Sequence, residues 1–211
     1  VNNHLNKAVT RRLFIPLIAI VLSVSACTTV PSLNETETNA TRTYAEHIAI
    51  SGRLSLRYEV RGSNQSSHGS FSWEQNADNT SIQLRSPLGQ TVAVIEMNAQ
   101  QARLLRGGQP AIASDNADTL IQEVLGWPLP IGGLKNWLQG FVLGATGQLV
   151  AVKPSDAAVT VNTIDGWQIQ YQQWQADQDH SLHPKRIDLT RYTEEAGTVM
   201  IRIVIDEWRT H

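Results

Sequence analysis

The stretch from Ile48 to Val60 alternates with a period of two. Ile48, Ile50, Gly52, Leu54, Leu56, Tyr58 and Val60 fall on one face, and Ser51, Arg53, Ser55, Arg57 and Glu59 on the other. A chain with that pattern builds a half-buried strand, because successive side chains leave a strand on opposite faces. The pattern recurs. Phe71 and Trp73 alternate with Ser70, Ser72 and Glu74, and Ile82 and Leu84 with Ser81, Gln83 and Arg85. Thr91–Met97 is a more continuous apolar strand, and Ala102–Leu105 a shorter one. Val159/Val161, Trp167/Ile169/Tyr171, Ile187/Leu189 and the run Val199 to Trp208 supply the later strands. The middle of the chain breaks the period. Ser114 or Asp115 is placed to cap a helix carrying Leu120, Ile121, Val124 and Leu125, which Gly126 and the following Trp127-Pro128-Leu129-Pro130 terminate. A second short helix presents Leu134, Trp137 and Leu138, and Gly140 ends it.

These elements predict a mainly β domain, an antiparallel sheet of about ten or eleven strands. About six precede two short helices and four or five follow. A sheet with one apolar face needs a cover, and two short helices are small for this one. Either the sheet closes on itself or part of its apolar face stays open, and an open apolar concavity is a ligand-site signal.

The N-terminal segment points to a membrane. Lys7, Arg11 and Arg12 precede the largely apolar run Leu13–Val24, and Ser25 and Ala26 lead into Cys27, the only cysteine. This is the layout of a secretory signal, and its end resembles a bacterial lipobox. The expected cleavage falls between Ala26 and Cys27, with Cys27 carrying the lipid. The run is too short for a membrane-spanning helix, which needs about 20 apolar residues. Thr28 follows the cysteine, where Asp would retain a lipoprotein in the inner membrane, so the outer membrane is the expected destination. Residues 1–26 read as signal, 27–43 as lipid anchor and polar flexible tether, and 44–211 as the folded body.

Charge excludes one class of partner. Seventeen Lys and Arg against nineteen Asp and Glu give −2. Without Lys7, Arg11 and Arg12 the balance becomes 14 against 19, or −5. That argues against nucleic acid, which needs a basic face, and against recruitment by a polybasic patch.

Catalytic signals are missing. There is no Gly-x-Ser-x-Gly elbow and no phosphate loop of the Gly-x-x-x-x-Gly-Lys-Ser/Thr type, and a lipidated Cys27 is no nucleophile. His180 and His183 lie in a polar stretch before Pro184 and read as a solvated loop rather than a metal site. No enzyme, cofactor or metal is expected. Ser86-Pro87-Leu88-Gly89 lies between two strands, and Pro87 and Gly89 are turn formers. Leu88 then sits at a loop tip, either folded back over the sheet edge or standing exposed.

The lipobox, the Ser86–Gly89 loop, the Gly126–Pro130 segment with Leu134 and Trp137, and the closing Ile203-Val204-Ile205-Asp206-Glu207-Trp208 together resemble the LolB family, over roughly residues 44–209. Family members often have Asn where this chain has Ser86. The resemblance implies an incomplete antiparallel β-barrel with a helical lid over an apolar cavity. It also implies a function: acceptance of triacylated lipoproteins from the periplasmic carrier LolA and their insertion into the outer membrane. Leu88, flanked by Pro87 and Gly89, matches the family's protruding loop leucine, implicated in delivery to the bilayer. Candidate cavity residues are Leu54, Leu56, Trp73, Leu84, Val94, Ile169, Leu189 and Ile203 from strands, and Leu120, Val124, Leu134 and Trp137 from the lid. The partners implied are a LolA-like carrier, the acyl chains of lipoproteins and the outer-membrane bilayer, with the protein acting as a monomer on the periplasmic side. The rival readings are a scaffolding outer-membrane lipoprotein and a binding module for another envelope lipid.

Overall fold

The computed structural model describes residues 42–177 and 180–210. Among them, β1 (Ile48–Val60), β2 (Ser63–Gln75), β3 (Asn79–Arg85), β4 (Thr91–Asn98), β5 (Ala102–Leu105) and β6 (Ile112–Ser114) precede the helices α1 (Ala117–Leu125) and α2 (Ile131–Trp137). A short hairpin follows, β7 (Phe141–Leu143) and β8 (Leu149–Ala151). Then come β9 (Val159–Asn162), β10 (Gln168–Ala176), β11 (Leu182–Thr193) and β12 (Gly197–Thr210). Ten strands form one sheet in the order β6-β5-β4-β3-β2-β1-β12-β11-β10-β9, all antiparallel, and β7–β8 stand apart. The first and last long strands, β1 and β12, pair at the centre, and β6 and β9 are the two ends of an open sheet. The fold is therefore an incomplete barrel. The hairpin β7–β8 and the three-residue β6 are absent from the expected strand set; three-residue strands are too short for the period-two pattern to show.

Register places the apolar positions of every long strand on one inner face. Leu54 lies opposite Ile203, Phe71 opposite Leu84, Ile82 opposite Ile95, and Leu189 opposite both Ile169 and Ile201. The helices cover this face. Asn116, rather than Ser114 or Asp115, caps α1: its side chain accepts from the backbone N–H of Asp118 and Thr119. Gly126 closes the helix in the left-handed region, at φ 81°. Asp118 Oδ1 also accepts from Gly132 N–H at 2.9 Å, which ties the start of α2 to the first turn of α1.

The core has two parts. Beneath α2, Trp137 meets Trp167 with ring centroids 6.4 Å apart, and the Tyr171 hydroxyl donates to the Trp137 carbonyl. Trp167, Ile169, Tyr171, Ile187 and Leu189 are fully buried there. The other part surrounds the site described below. All core residues lie between Ala45 and Trp208, and all described strand pairings lie within 48–210. The body thus carries its own hydrophobic core, the criterion for independent folding.

The expected signal, Cys27 and most of the tether lie outside the described residues. At the end of that tether Arg42 is already packed against the body. Its guanidinium donates to the carbonyls of Gly140 and Val152 and stacks over Trp174 at 4.5 Å. Body packing therefore begins at least two residues before position 44.

Gly52 is required by close approach. β1 shifts register between Ser51 and Gly52, and a Cβ at Gly52 would meet the Val204 carbonyl oxygen at 2.1 Å. Both sides of that clash are backbone in central strands. Gly52→Ala is expected to destabilise the body by about 1–3 kcal/mol, read as a fall of roughly 3–10 °C in the thermal midpoint. An unchanged midpoint would mean the bulge relaxes freely.

Candidate functional site

Between the inner face and the helices lies an open cavity of about 300 Å³, at the small end of the range of about 300–1,000 Å³ for ligand sites. Its walls come from β1 to β5, from β12, and from the lid. Arg106 apart, every lining side chain is apolar. No group of three His, Cys, Asp or Glu that would hold a metal exists among the described residues. The arrangement suits an apolar ligand held by burial, with Arg106 the one charged side chain in the lining.

Of the sequence candidates, Leu54, Leu56, Trp73, Leu84, Val124, Leu134 and Ile203 line the cavity. The other five do not. Val94 lies opposite Gln83, on the outer face, because the apolar run of β4 turns Ala93 and Ile95 inward instead. Leu120 is fully buried and does not line the cavity, while Ile121 beside it does. Trp137, Ile169 and Leu189 belong to the solid core around Trp167, where the sheet's inner face is already filled. Phe71, Ile82, Leu104 and Ile201 line the cavity and were not among the candidates. Three of them share a strand face with Trp73, Leu84 or Ile203, so extending the alternation by one step finds them. Arg106 had no signal in the sequence.

The Ser86–Gly89 loop is a tight connection between β3 and β4. Gly89 N–H donates to the Ser86 carbonyl, Ser86 N–H donates to the Gln90 carbonyl, and Gly89 takes φ 83°. This is a β-turn followed by a left-handed glycine, a common three-residue hairpin connection. Leu88 stands 88% exposed at its tip. It does not fold back over the sheet edge.

The histidine reading needs correction at His183. It is the second residue of β11, is 5% exposed, and stacks on Trp208 with the rings 4.6 Å apart and 6° from parallel. Its Nδ1 lies 3.1 Å from the Pro184 carbonyl, which fixes Nδ1 as the donor in the neutral ring. Burial pushes its pKa below the ordinary value, against the opposing pull of the Pro184 carbonyl and Asp177. The folded state therefore favours neutral imidazole. The stability it contributes is full above about pH 6.5 and declines as pH falls through the lowered folded value. As pH falls below about 6.5 the body is expected to lose stability in urea titrations, and His183→Phe to flatten that decline. An equal decline in the variant would assign the effect elsewhere.

Sheet, lid and cavity define the class: a lidded β half-barrel enclosing apolar space. A family model described as Outer membrane lipoprotein LolB matches residues 46–208. Proteins named outer-membrane lipoprotein LolB are similar along the chain. That of Ralstonia nicotianae is 36% identical, covering 74% of this chain and 77% of its own. That of Cupriavidus pinatubonensis is 33% identical, covering 93% and 95%. The crystal structure of a LolA superfamily protein from Nitrosomonas europaea aligns with TM-score 0.44 and 7% identity, over 81% of this chain and 88% of that one. The chain belongs to the LolB family, and is thereby an outer-membrane lipoprotein. Among the described residues no helix is long and apolar enough to cross a membrane.

Proposed function

We propose that the protein, anchored through Cys27 and facing the periplasm, accepts triacylated lipoproteins from a LolA-like carrier and inserts them into the outer membrane. The observation that carries this reading is the lidded cavity, apolar on all sides but Arg106. Each methylene withdrawn from water is worth about 0.8 kcal/mol, so acyl chains cannot cross an aqueous compartment bare. An acceptor needs an apolar cavity that outcompetes the carrier's, and a bilayer buries the chains better still. Transfer then runs downhill, without nucleotide.

Leu88 is the point of delivery in this scheme. An exposed leucine on a tight turn gains nothing from the body's core, and it gains burial on contact with a bilayer. Leu54, Leu56, Trp73, Leu84, Val124, Leu134 and Ile203 form the acyl-binding wall. The protein acts as a monomer, since one cavity and one loop suffice.

The test mixes the body, residues 40–211, with a carrier loaded with a labelled triacylated lipoprotein. Label is expected on the body within the mixing experiment. Label that stays on an active carrier, with the body folded, would overturn the receptor reading. Binding of free phospholipid or glycolipid without uptake from the carrier would assign the cavity to another envelope lipid.

A further inference from the structure

Composition gives the chain a net negative charge, yet register collects arginines on the outer face of the sheet beside the Leu88 loop. Residues directly opposite one another in paired strands point to the same face. Arg85 lies opposite Ser70, Ser70 opposite Arg53, Arg53 opposite Val204, and Val204 opposite Arg186. This row crosses five strands and starts one residue before the loop. The neighbouring row runs His68, Ser55, Arg202, Asp188, and Arg57 lies in the row after that. A groove of about 440 Å³ joins the two features: Arg53, His68 and Arg202 line it together with Ser86, Pro87 and Gly89 of the loop. The Ser86 hydroxyl is buried with no hydrogen-bond partner among the described residues.

Three acids share this face between its ends: Asp206, Asp188 and Glu207, the last accepting from the Ser51 hydroxyl at 3.2 Å. Asp206 accepts from Arg53 at 2.8 Å, and Asp188 from Arg186 at 2.7 Å and Arg202 at 3.0 Å. Arg85 donates to Gln83. Glu59 and Glu74, on β1 and β2, belong to the same face at its two ends. The arginines still outnumber the acids between those ends. Arg53 and Arg202 keep side-chain exposures of 67% and 54%. Exposed ion pairs of this kind are weak, and a guanidinium can exchange a carboxylate for a phosphate in the same forked geometry.

We propose that this arginine band is a docking surface for the anionic phospholipid headgroups of the target bilayer. The proposal rests on the reading of Leu88 as the bilayer-entering loop. Arg85 is three residues from Leu88, within roughly 10 Å along the chain. When Leu88 enters the hydrocarbon, Arg85 and the groove beside it lie at the depth of the phosphate layer just outside it. The apolar tip supplies depth, and the arginines supply orientation and residence. An acidic protein surface would match the charge, but it offers no burial to the adjoining leucine.

The experiment floats the body, residues 40–211, with vesicles of phosphatidylcholine alone or with phosphatidylglycerol, at low and high salt. Three proteins are compared: the parent sequence, Leu88→Glu, and the quadruple variant Arg53→Gln, Arg57→Gln, Arg85→Gln, Arg202→Gln. The parent is expected to bind the phosphatidylglycerol vesicles roughly tenfold or more tightly than phosphatidylcholine, with the preference lost at high salt. The quadruple variant, shown folded by its β-sheet circular dichroism, is expected to lose that preference and keep the parent's binding to phosphatidylcholine. A parent without preference, or a quadruple variant that retains it, overturns the proposal. Loss of cargo uptake from the carrier with the vesicle preference intact would assign the band to the carrier and overturn it as well. The loop reading fails separately, if Leu88→Glu binds phosphatidylcholine as the parent does.

Discussion

Leu88→Glu is expected to leave the body folded and able to take up cargo, and to abolish delivery into bilayers. Leu88 touches no core, so its replacement falls among surface changes worth within about 0.5 kcal/mol of stability. The turn is held by backbone hydrogen bonds of Ser86, Gly89 and Gln90 and by the positive φ of Gly89. None of these depends on the side chain at 88. The cavity lining excludes Leu88, so acceptance is expected to be unaffected. Delivery is different. A leucine side chain entering hydrocarbon gains about 1.5–3 kcal/mol, which corresponds to roughly 10- to 150-fold in rate or occupancy. Glutamate removes that gain and adds the cost of a charge at the interface. Transfer of labelled lipoprotein from the preloaded body to liposomes measures the step. The rate is expected to fall by about a hundredfold or more, with thermal midpoint and uptake unchanged. A normal delivery rate would remove Leu88 from the mechanism.

The loop, the inner face of β1, β2, β3 and β12, and the lid helices were legible in the sequence because each rests on local chemistry. A turn needs Pro87 and Gly89 where they stand, and alternation assigns Leu54, Leu56, Trp73, Leu84 and Ile203 to one face. What alternation does not assign is position along that face. Ile169 and Leu189 share the inner face with the cavity residues, but both are fully buried in the core and neither lines the cavity. Only the order of strands across the sheet separates solid core from cavity. Val94 shows a second limit. Val92, Ala93, Val94 and Ile95 are all apolar, so the pattern carries no phase, and the pairing of Gln83 with Val94 decides the matter. The arginine band shows a third. Arg53, Arg57, Arg85, Arg186 and Arg202 are scattered over four strands in sequence, and net charge conceals them. They meet through register alone.

The second large effect separates the cavity from the face behind it. Val124→Asn places an amide on the lid side of the cavity, and Val94→Asn places the same amide on the opposite face of the sheet. Val124 lines the cavity from a half-buried position on α1, so the empty protein can hydrate the new group through the open mouth. An acyl chain entering that space must strip the water away. An uncompensated amide in an apolar setting costs about 2–7 kcal/mol, and even about 2 kcal/mol weakens binding roughly thirtyfold. Val94→Asn imposes no such cost on the cavity. Titration with a fluorescent fatty-acyl probe is therefore expected to show binding weakened about thirtyfold or more at position 124 and unchanged within about twofold at position 94. Urea unfolding of both variants checks that stability does not account for the difference. Equal affinities would place the acyl site outside the cavity. A loss confined to Val124→Asn, together with retained uptake in Leu88→Glu, would assign acceptance and delivery to two separate parts of one sheet: acceptance to the lidded inner face, delivery to the loop between β3 and β4.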